Sequence, residues 1–269
     1  MKDISQQCGL PISIAEEDGK LYSTSPELII PREGKRTYDQ LQDVTIEPIE
    51  EQQKEYAYLV YRNVFMRRDS GAFLSSQLRY NLIVMPPGVI GNEYLKTLGH
   101  FHSSKPGTLI SYAEIYEIIL GEAIFLIQKM DASFQTVTEH YIYTCKQGEK
   151  MIIPPGFGHT TINATQGTLV MGNIMTIDND PNYEVFKRFK GASYRVLRGK
   201  EGNMIIEKND HFGPMPPLKK ITVKSLEHLN IPSSQPLYEL LIKKSETFSF
   251  ISNPDQFLNE LDIGQLFIL

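Results

Sequence analysis

Cysteine is scarce: Cys8 and Cys145 are the only two in 269 residues, far apart and without a C-x-x-C spacing. That excludes a disulfide framework and fits a reducing compartment. Nowhere do eighteen apolar residues stand together, which excludes a membrane-spanning helix of ordinary length. The opening MKDISQQCGLPISIAEEDGK has no apolar stretch like that of a signal peptide. No basic stripe points to nucleic acid, and no Lys/Arg run points to an anionic membrane surface. The formal charge of −5 is spread over both signs and reads as a solvated surface. Repeats and low-complexity tracts are missing too. What remains, 41% hydrophobic and 22% charged, is the composition of an ordinary globular protein. The expectation is a cytoplasmic protein that contacts neither membrane nor nucleic acid.

Between about 45 and 208 the chain breaks into short segments rich in Val, Ile, Tyr, Phe and Thr: EYAYLVYRNVF, SSQLRYNLIVMPP, EYLKTLGHFH, AEIYEIILGEAIFLIQK, HYIYTCKQG, KMIIPPG, HTTINA and TLVMGNIMTI. Pro-Pro-Gly, Gly-Glu and Gln-Gly punctuate them. That pattern predicts antiparallel strands joined by tight turns in an all-β sandwich or barrel, and βαβ alternation is absent. Residues 1–44, interrupted by Pro11, Pro26 and Pro31, read as an N-terminal arm with one short strand at most. The polar stretch from about 42 to 55 suits a short helix or turn. Residues 209–269 follow the break at Pro214-Met-Pro-Pro217 and form a small α-rich appendage. Within it QPLYELLIKK and NPDQFLNELDI read as short amphipathic helices with Pro near their starts.

Three pieces carry chemistry. In GHFH, His100 and His102 are two apart, so on a strand both side chains face the same side. In AEIYEIILG, Glu114 shares a face with Tyr112 and Tyr116, while Glu117 faces the other way. An inward Glu114 is costly as an unpaired charge, and a cation removes that difficulty. In GEKMIIPPGFGHTTIN, a strand ends in a Pro/Gly turn and the chain returns with His159 opening the next strand.

Together these pieces resemble the two-part signature of the cupin superfamily. The first part is HxH, a spacer, Glu, six residues and Gly, met by His100, His102, Glu114 and Gly121. The second is met at every position by Gly148, Pro154, Gly156, His159 and Asn163. The resemblance implies a double-stranded β-helix (jelly-roll) barrel with His100, His102, Glu114 and His159 as metal ligands. One departure stands out: the spacer from His102 to Glu114 holds eleven residues, SSKPGTLISYA, where three or four are usual. It leaves Glu117 as a rival ligand, disfavoured by its spacing to Gly121. Three imidazoles and a carboxylate suit one divalent ion per subunit, with Fe(II) foremost and Mn, Ni or Zn as alternatives. Such a set leaves positions open for substrate oxygens, unlike a closed structural site.

The wider text, RYNLIVMPPGVIGNEYLKTLGHFH, AEIYEIILG, IPPGFGHTTIN and DPNYEVFKRFKG, resembles the cupin-type phosphoglucose isomerases of archaea and some bacteria over about residues 79–200. That resemblance implies a metal-dependent aldose-ketose isomerase of glycolysis and gluconeogenesis, interconverting glucose 6-phosphate and fructose 6-phosphate through an enediol-type state. It implies Glu114 as the proton-transfer base and Tyr116 beside the sugar. Thr97, the Gly99 N–H and Tyr183, the last from a later strand, would hold the phosphate. Ile83 stands where the family often has Thr, removing one hydroxyl from the phosphate subsite. The resemblance also implies a homodimer that covers sheet edges. Two other classes share the motif: an Fe(II)- and O₂-dependent cupin dioxygenase, and a sugar-binding cupin without catalysis. Lys96 and Lys105 read as solvated charges, Tyr112 as a packing residue, and His140, His211 and His228 as structural or surface residues.

Overall fold

In the computed structural model, which describes residues 1–15, 17–49 and 55–269, the middle of the chain is the expected all-β barrel. Nine strands matter for the site: β1 Gly34–Arg36, β2 Tyr58–Tyr61, β3 Leu78–Met85, β4 Glu114–Leu120, β5 Glu122–Met130, β6 Val137–Lys146, β7 Lys150–Ile153, β8 Phe157–Ile162 and β9 Leu169–Thr176. One sheet runs in the order β7-β4-β9-β3-β2-β1, and the facing sheet is β8-β5-β6 with Lys219–Lys220 added in parallel to β6. These are the two layers of a cupin jelly roll.

Between β4 and β5 the chain passes from one layer to the other through a single residue. β4 ends at Leu120 and β5 begins at Glu122, so Gly121 alone turns the corner, with φ +85°. An added Cβ would lie 3.0 Å from the Thr168 carbonyl oxygen, so the last residue of the first motif is a backbone requirement.

The central strands of the long sheet, β3, β4 and β9, are buried on both faces, which is why β4 (EIYEIIL) reads as a continuous apolar run with two carboxylates set into it. Its inner face carries Glu114 and Tyr116. The outer face is covered by the C-terminal segment: Leu237 N–H donates to Glu117 Oε2 at 2.9 Å, and Tyr238 packs edge-on against Tyr80 at 5.5 Å between ring centroids. Tyr238 OH also accepts from Met66 N–H at 2.9 Å.

The N-terminal residues contain more strand than the sequence suggests. Lys2–Asp3, Ile12–Ile14 and Leu21–Ser23 form a small sheet, Leu28–Ile29 pairs with Phe65–Met66, and β1 joins the edge of the long sheet beside β2. Each piece is two or three residues long, too short to show a period-two pattern. Of the polar stretch at 42–55, Gln42–Val44 is one 3-10 turn after the helix Tyr38–Leu41, which has a Thr37/Gln40 capping box; residues 50–54 lie outside the described residues.

At the C-terminus, Leu237–Lys243 forms the expected helix after Pro236. The second expected helix forms only a 3-10 turn at Pro254–Gln256. Asp262 then caps a new start, accepting from Gly264 N–H at 2.8 Å, because burying Leu261, Ile263 and Leu266 needs a change of direction. Among the described residues no helix is long and apolar enough to cross a membrane.

Candidate metal centre

His100, His102, Glu114 and His159 meet inside the barrel, each offering a ligand atom within 4.8 Å of the others. The two layers and a connecting loop supply them separately. Glu114 opens β4, opposite Ile153 of β7. His159 lies on β8, opposite Ile127 of β5. His100 is held by an isolated antiparallel bridge: its N–H donates to the His159 carbonyl at 3.1 Å and the His159 N–H returns the bond at 3.0 Å. The GHFH segment is therefore not the regular strand that the spacing suggests, yet this one bridge aims His100 at the interior.

The donor atoms fit a cation. His102 Nδ1 faces the Tyr112 carbonyl oxygen at 2.9 Å, and only an N–H can donate to it. The other ring nitrogen, Nε2, lies 3.0 Å from Glu114 Oε2, and His159 Nε2 is 3.5 Å from the same oxygen; in the neutral ring that Nε2 of His102 is a bare lone pair. Acceptors crowded together this way need a shared proton or a cation. Two buried ring nitrogens, His100 Nε2 and His159 Nδ1, have no hydrogen-bond partner among the described residues. Burial, reinforced by neighbouring imidazoles, holds His100 and His159 well below the ordinary histidine pKa, so both rings are neutral and suited to ligate. Tyr116 OH sits 3.0 Å from His159 Nε2, and burial next to Glu114 raises its pKa well above normal, keeping it a neutral donor.

Behind the carboxylate stands an amide relay with no counterpart in the sequence motifs. Asn173 Nδ2 donates to Glu114 Oε1, Asn81 Nδ2 donates to Asn173 Oδ1 at 2.8 Å, and Asn63 N–H donates to Asn81 Oδ1 at 3.2 Å. Asn81, Asn173 and Tyr116 stand level across β3, β9 and β4. Period two along β9 places Asn173 on one face, but only the strand register brings it to Glu114. Three arginines, Arg36, Arg62 and Arg79, also line the pocket, and reading the motifs alone misses them.

The remaining expected residues divide. Thr97, Gly99 and Tyr183 line the same pocket as the metal cluster. Thr97 Oγ1 accepts from Thr161 N–H at 3.0 Å. Gly99 has φ +73°, and a Cβ there would come within 2.4 Å of the Phe186 ring. Tyr183 is not on a strand: it caps the helix Glu184–Arg188, its segment held by the Phe101–Asn182 bridge, and its ring lies 5.4 Å from that of His100. Pro181, just ahead, has no N–H to give to a sheet ladder. Glu117 lies on the outer face, 3.2 Å from Lys150, and is no ligand of this cluster.

Lys96 and Lys105 are paired, not solvated: Lys96 is buried against Glu93, and Lys105 Nζ reaches Asp255 at 2.7 Å and Asn253 at 3.0 Å. Lys105 belongs to the eleven-residue spacer, which folds back on itself through a Ser104–Ser111 bridge and leaves the ligand geometry intact. Asn163, last residue of the second motif, is structural, donating to the Met85 carbonyl at 3.1 Å and the Gly167 carbonyl at 2.9 Å. His140 is buried between Ser193 Oγ and the Pro216 carbonyl, while His211 and His228 are exposed.

Comparison with known proteins adds one decisive match: the family model for glucose-6-phosphate isomerase covers residues 35–214. The chain belongs to the glucose-6-phosphate isomerase family. Curated family members include glucose-6-phosphate isomerase of Thermococcus litoralis, 25% identical over 132 residues, covering 49% of this chain and 63% of that protein. That of Thermococcus onnurineus is 28% identical over 120 residues, covering 45% of this chain and 57% of that protein. A bacterial relative from Sinorhizobium medicae is 26% identical over 130 residues, with 48% and 55% covered. In each case the match spans less than two thirds of the relative. Among solved structures, Bacillus subtilis oxalate decarboxylase overlaps 49% of this chain and 30% of its own at 20% identity and a TM-score of 0.34.

Proposed function

We infer that this protein is a metal-dependent aldose-ketose isomerase interconverting glucose 6-phosphate and fructose 6-phosphate. The observation that carries the reading is the convergence of His100, His102, Glu114 and His159 beneath a pocket whose wall includes Thr97, Gly99 and Tyr183, in a chain of this family. The four residues would hold one divalent ion, Fe(II) foremost, with Mn, Ni or Zn as alternatives. Such an ion, when bound, supplies Lewis-acid stabilisation of charge on adjacent sugar oxygens.

The chain's own groups do the rest. Among the described residues Glu114 is the one carboxylate facing the pocket and would carry the proton between C1 and C2, a contribution of about 10²–10⁴-fold for a well-placed base. Asn173 would fix its second oxygen, so that only the oxygen near the imidazoles exchanges a proton. Tyr116, as a neutral phenol, would donate to a sugar oxygen or to His159. Thr97, the Gly99 N–H and Tyr183 would orient the remote end of the substrate, converting binding energy into position. A cytosolic place in glycolysis and gluconeogenesis, and a homodimer, follow as parts of the same proposal. The test is a coupled assay from fructose 6-phosphate to glucose 6-phosphate: Glu114→Ala and His159→Ala should abolish turnover and metal retention, and near-full activity in both would overturn the reading.

A further inference from the structure

The pocket above the metal cluster carries three guanidinium groups and, among the described residues, one carboxylate, Glu114, which is already taken up by the imidazoles and Asn173. Arg36 ends β1, Arg62 directly follows β2 and Arg79 lies on β3, and all three line the pocket. Among the described residues none has a carboxylate within ion-pair distance, although Arg67, Arg68 and Arg195 all do. Arg79 is the telling case. Among the described residues its Nε is buried without a hydrogen-bond partner, and its one side-chain contact of that kind is from Nη2 to Met175 Sδ at 3.3 Å, a weak acceptor. Arg36 lies over the Tyr183 ring, 5.9 Å from its centroid.

Such an arrangement is unfavourable when empty. A buried guanidinium donor without an acceptor loses hydration and gains nothing, and neighbouring like charges repel. Exposed arginines on a rim are usually solvated, but Arg79 stands on the inner face with Asn81 and Ile83, at period two, where solvation is not the purpose of a side chain. A tetrahedral dianion resolves all of this, since guanidinium matches its oxygens two at a time.

We propose that Arg62 and Arg79, assisted by Arg36 and the Gly99 N–H, hold the anionic end of the substrate as a phosphate-monoester dianion. The proposal rests on the sugar-phosphate reading of the same pocket and narrows it: affinity for the charged group resides in arginines of β1, β3 and the residue after β2. An uncharged hexose is then a poor ligand, and binding weakens steeply with salt where the charges remain partly exposed.

The test titrates inorganic phosphate into metal-loaded protein by calorimetry and measures KM for fructose 6-phosphate in parallel. Arg62→Gln and Arg79→Gln should each weaken phosphate binding and raise KM at least about tenfold, corresponding to about 1.4 kcal/mol. Arg79→Lys should recover part of the loss, and Arg198→Gln, on an exposed position, should change neither quantity. If Arg79→Gln does not fold, the surface-exposed Arg62 still decides the matter. Phosphate affinity and KM within twofold of wild type in folded, metal-loaded Arg62→Gln would overturn the proposal while leaving the isomerase reading standing. Arginine-dependent phosphate binding with no turnover of either hexose phosphate would do the reverse.

Discussion

Asn173→Ala is the substitution that interrogates the site most sharply, because it touches neither the cluster's ligand atoms nor the chain's surface. Asn173 is buried and joins Asn81 to Glu114. Truncation removes a hydrogen bond to a carboxylate, about 1.5–3 kcal/mol, and strands the Asn81 amide, about 1–3 kcal/mol more if it stays dry. Water entering from the adjoining pocket recovers part of this, so a loss of about 2–4 kcal/mol is expected, or roughly 4–16 °C in Tm for a domain of this size. The larger consequence is at the metal: a carboxylate freed from its supporting amide is no longer held in one orientation, and affinity should fall about 10–100-fold. Thermal unfolding of the metal-stripped protein reads the first quantity, and chelator competition reads the second. Asn81→Ala, one link further back, should lower metal affinity less than Asn173→Ala. Unchanged metal affinity in a folded Asn173→Ala protein would refute the claim that the relay positions Glu114.

Three further outcomes are expected. Gly99→Ala should destabilise by roughly 2–4 kcal/mol and raise KM for the sugar phosphate, since an L-residue at φ +73° costs about 1–2 kcal/mol and its Cβ collides with Phe186; thermal melts and steady-state kinetics check both. Glu117→Ala should leave metal occupancy, read by elemental analysis, at the wild-type level while costing about 3–5 kcal/mol in denaturant unfolding, because buried Lys150 loses its counter-charge. Native protein should not react with a disulfide-exchange reagent at pH 8, for Cys8 is buried with its thiol pushed up to about 12 and Cys145 is raised also by burial; both thiols should titrate once guanidinium unfolds the chain.

The barrel and the identity of the four clustered residues were legible because both depend on local pattern: period-two alternation, Gly at forced corners, and fixed spacings from Gly121 and Gly148. The strand period also placed Glu114 and Glu117 on opposite faces, and the structure shows why that mattered, with one carboxylate among imidazoles and the other against Lys150. What escaped the sequence depends on pairing between distant strands. Asn81 and Asn173 are ninety-two positions apart and meet only through the β3–β9 register. Arg62 and Arg79 sit in segments that read as strands and Arg36 in the N-terminal arm, and nothing in their own neighbourhoods says which face is inner. Tyr183, which the resemblance places on a later strand, stands at a helix start, its segment held by the bridge between Phe101 and Asn182. The N-terminal strands were invisible for a simpler reason, being two or three residues each.

If the barrel's three imidazoles and one carboxylate serve isomerisation of a hexose phosphate, turnover must depend on the ion they would hold. The most direct measurement strips the protein with a chelator, restores Fe(II), Mn(II), Ni(II) or Zn(II) one at a time, and follows conversion of fructose 6-phosphate to glucose 6-phosphate in a coupled assay. Activity lost on stripping and regained with at least one ion, but not regained by Glu114→Ala, is the predicted result. Full activity in the stripped protein, or none with any of the four ions while metal is bound, would contradict it.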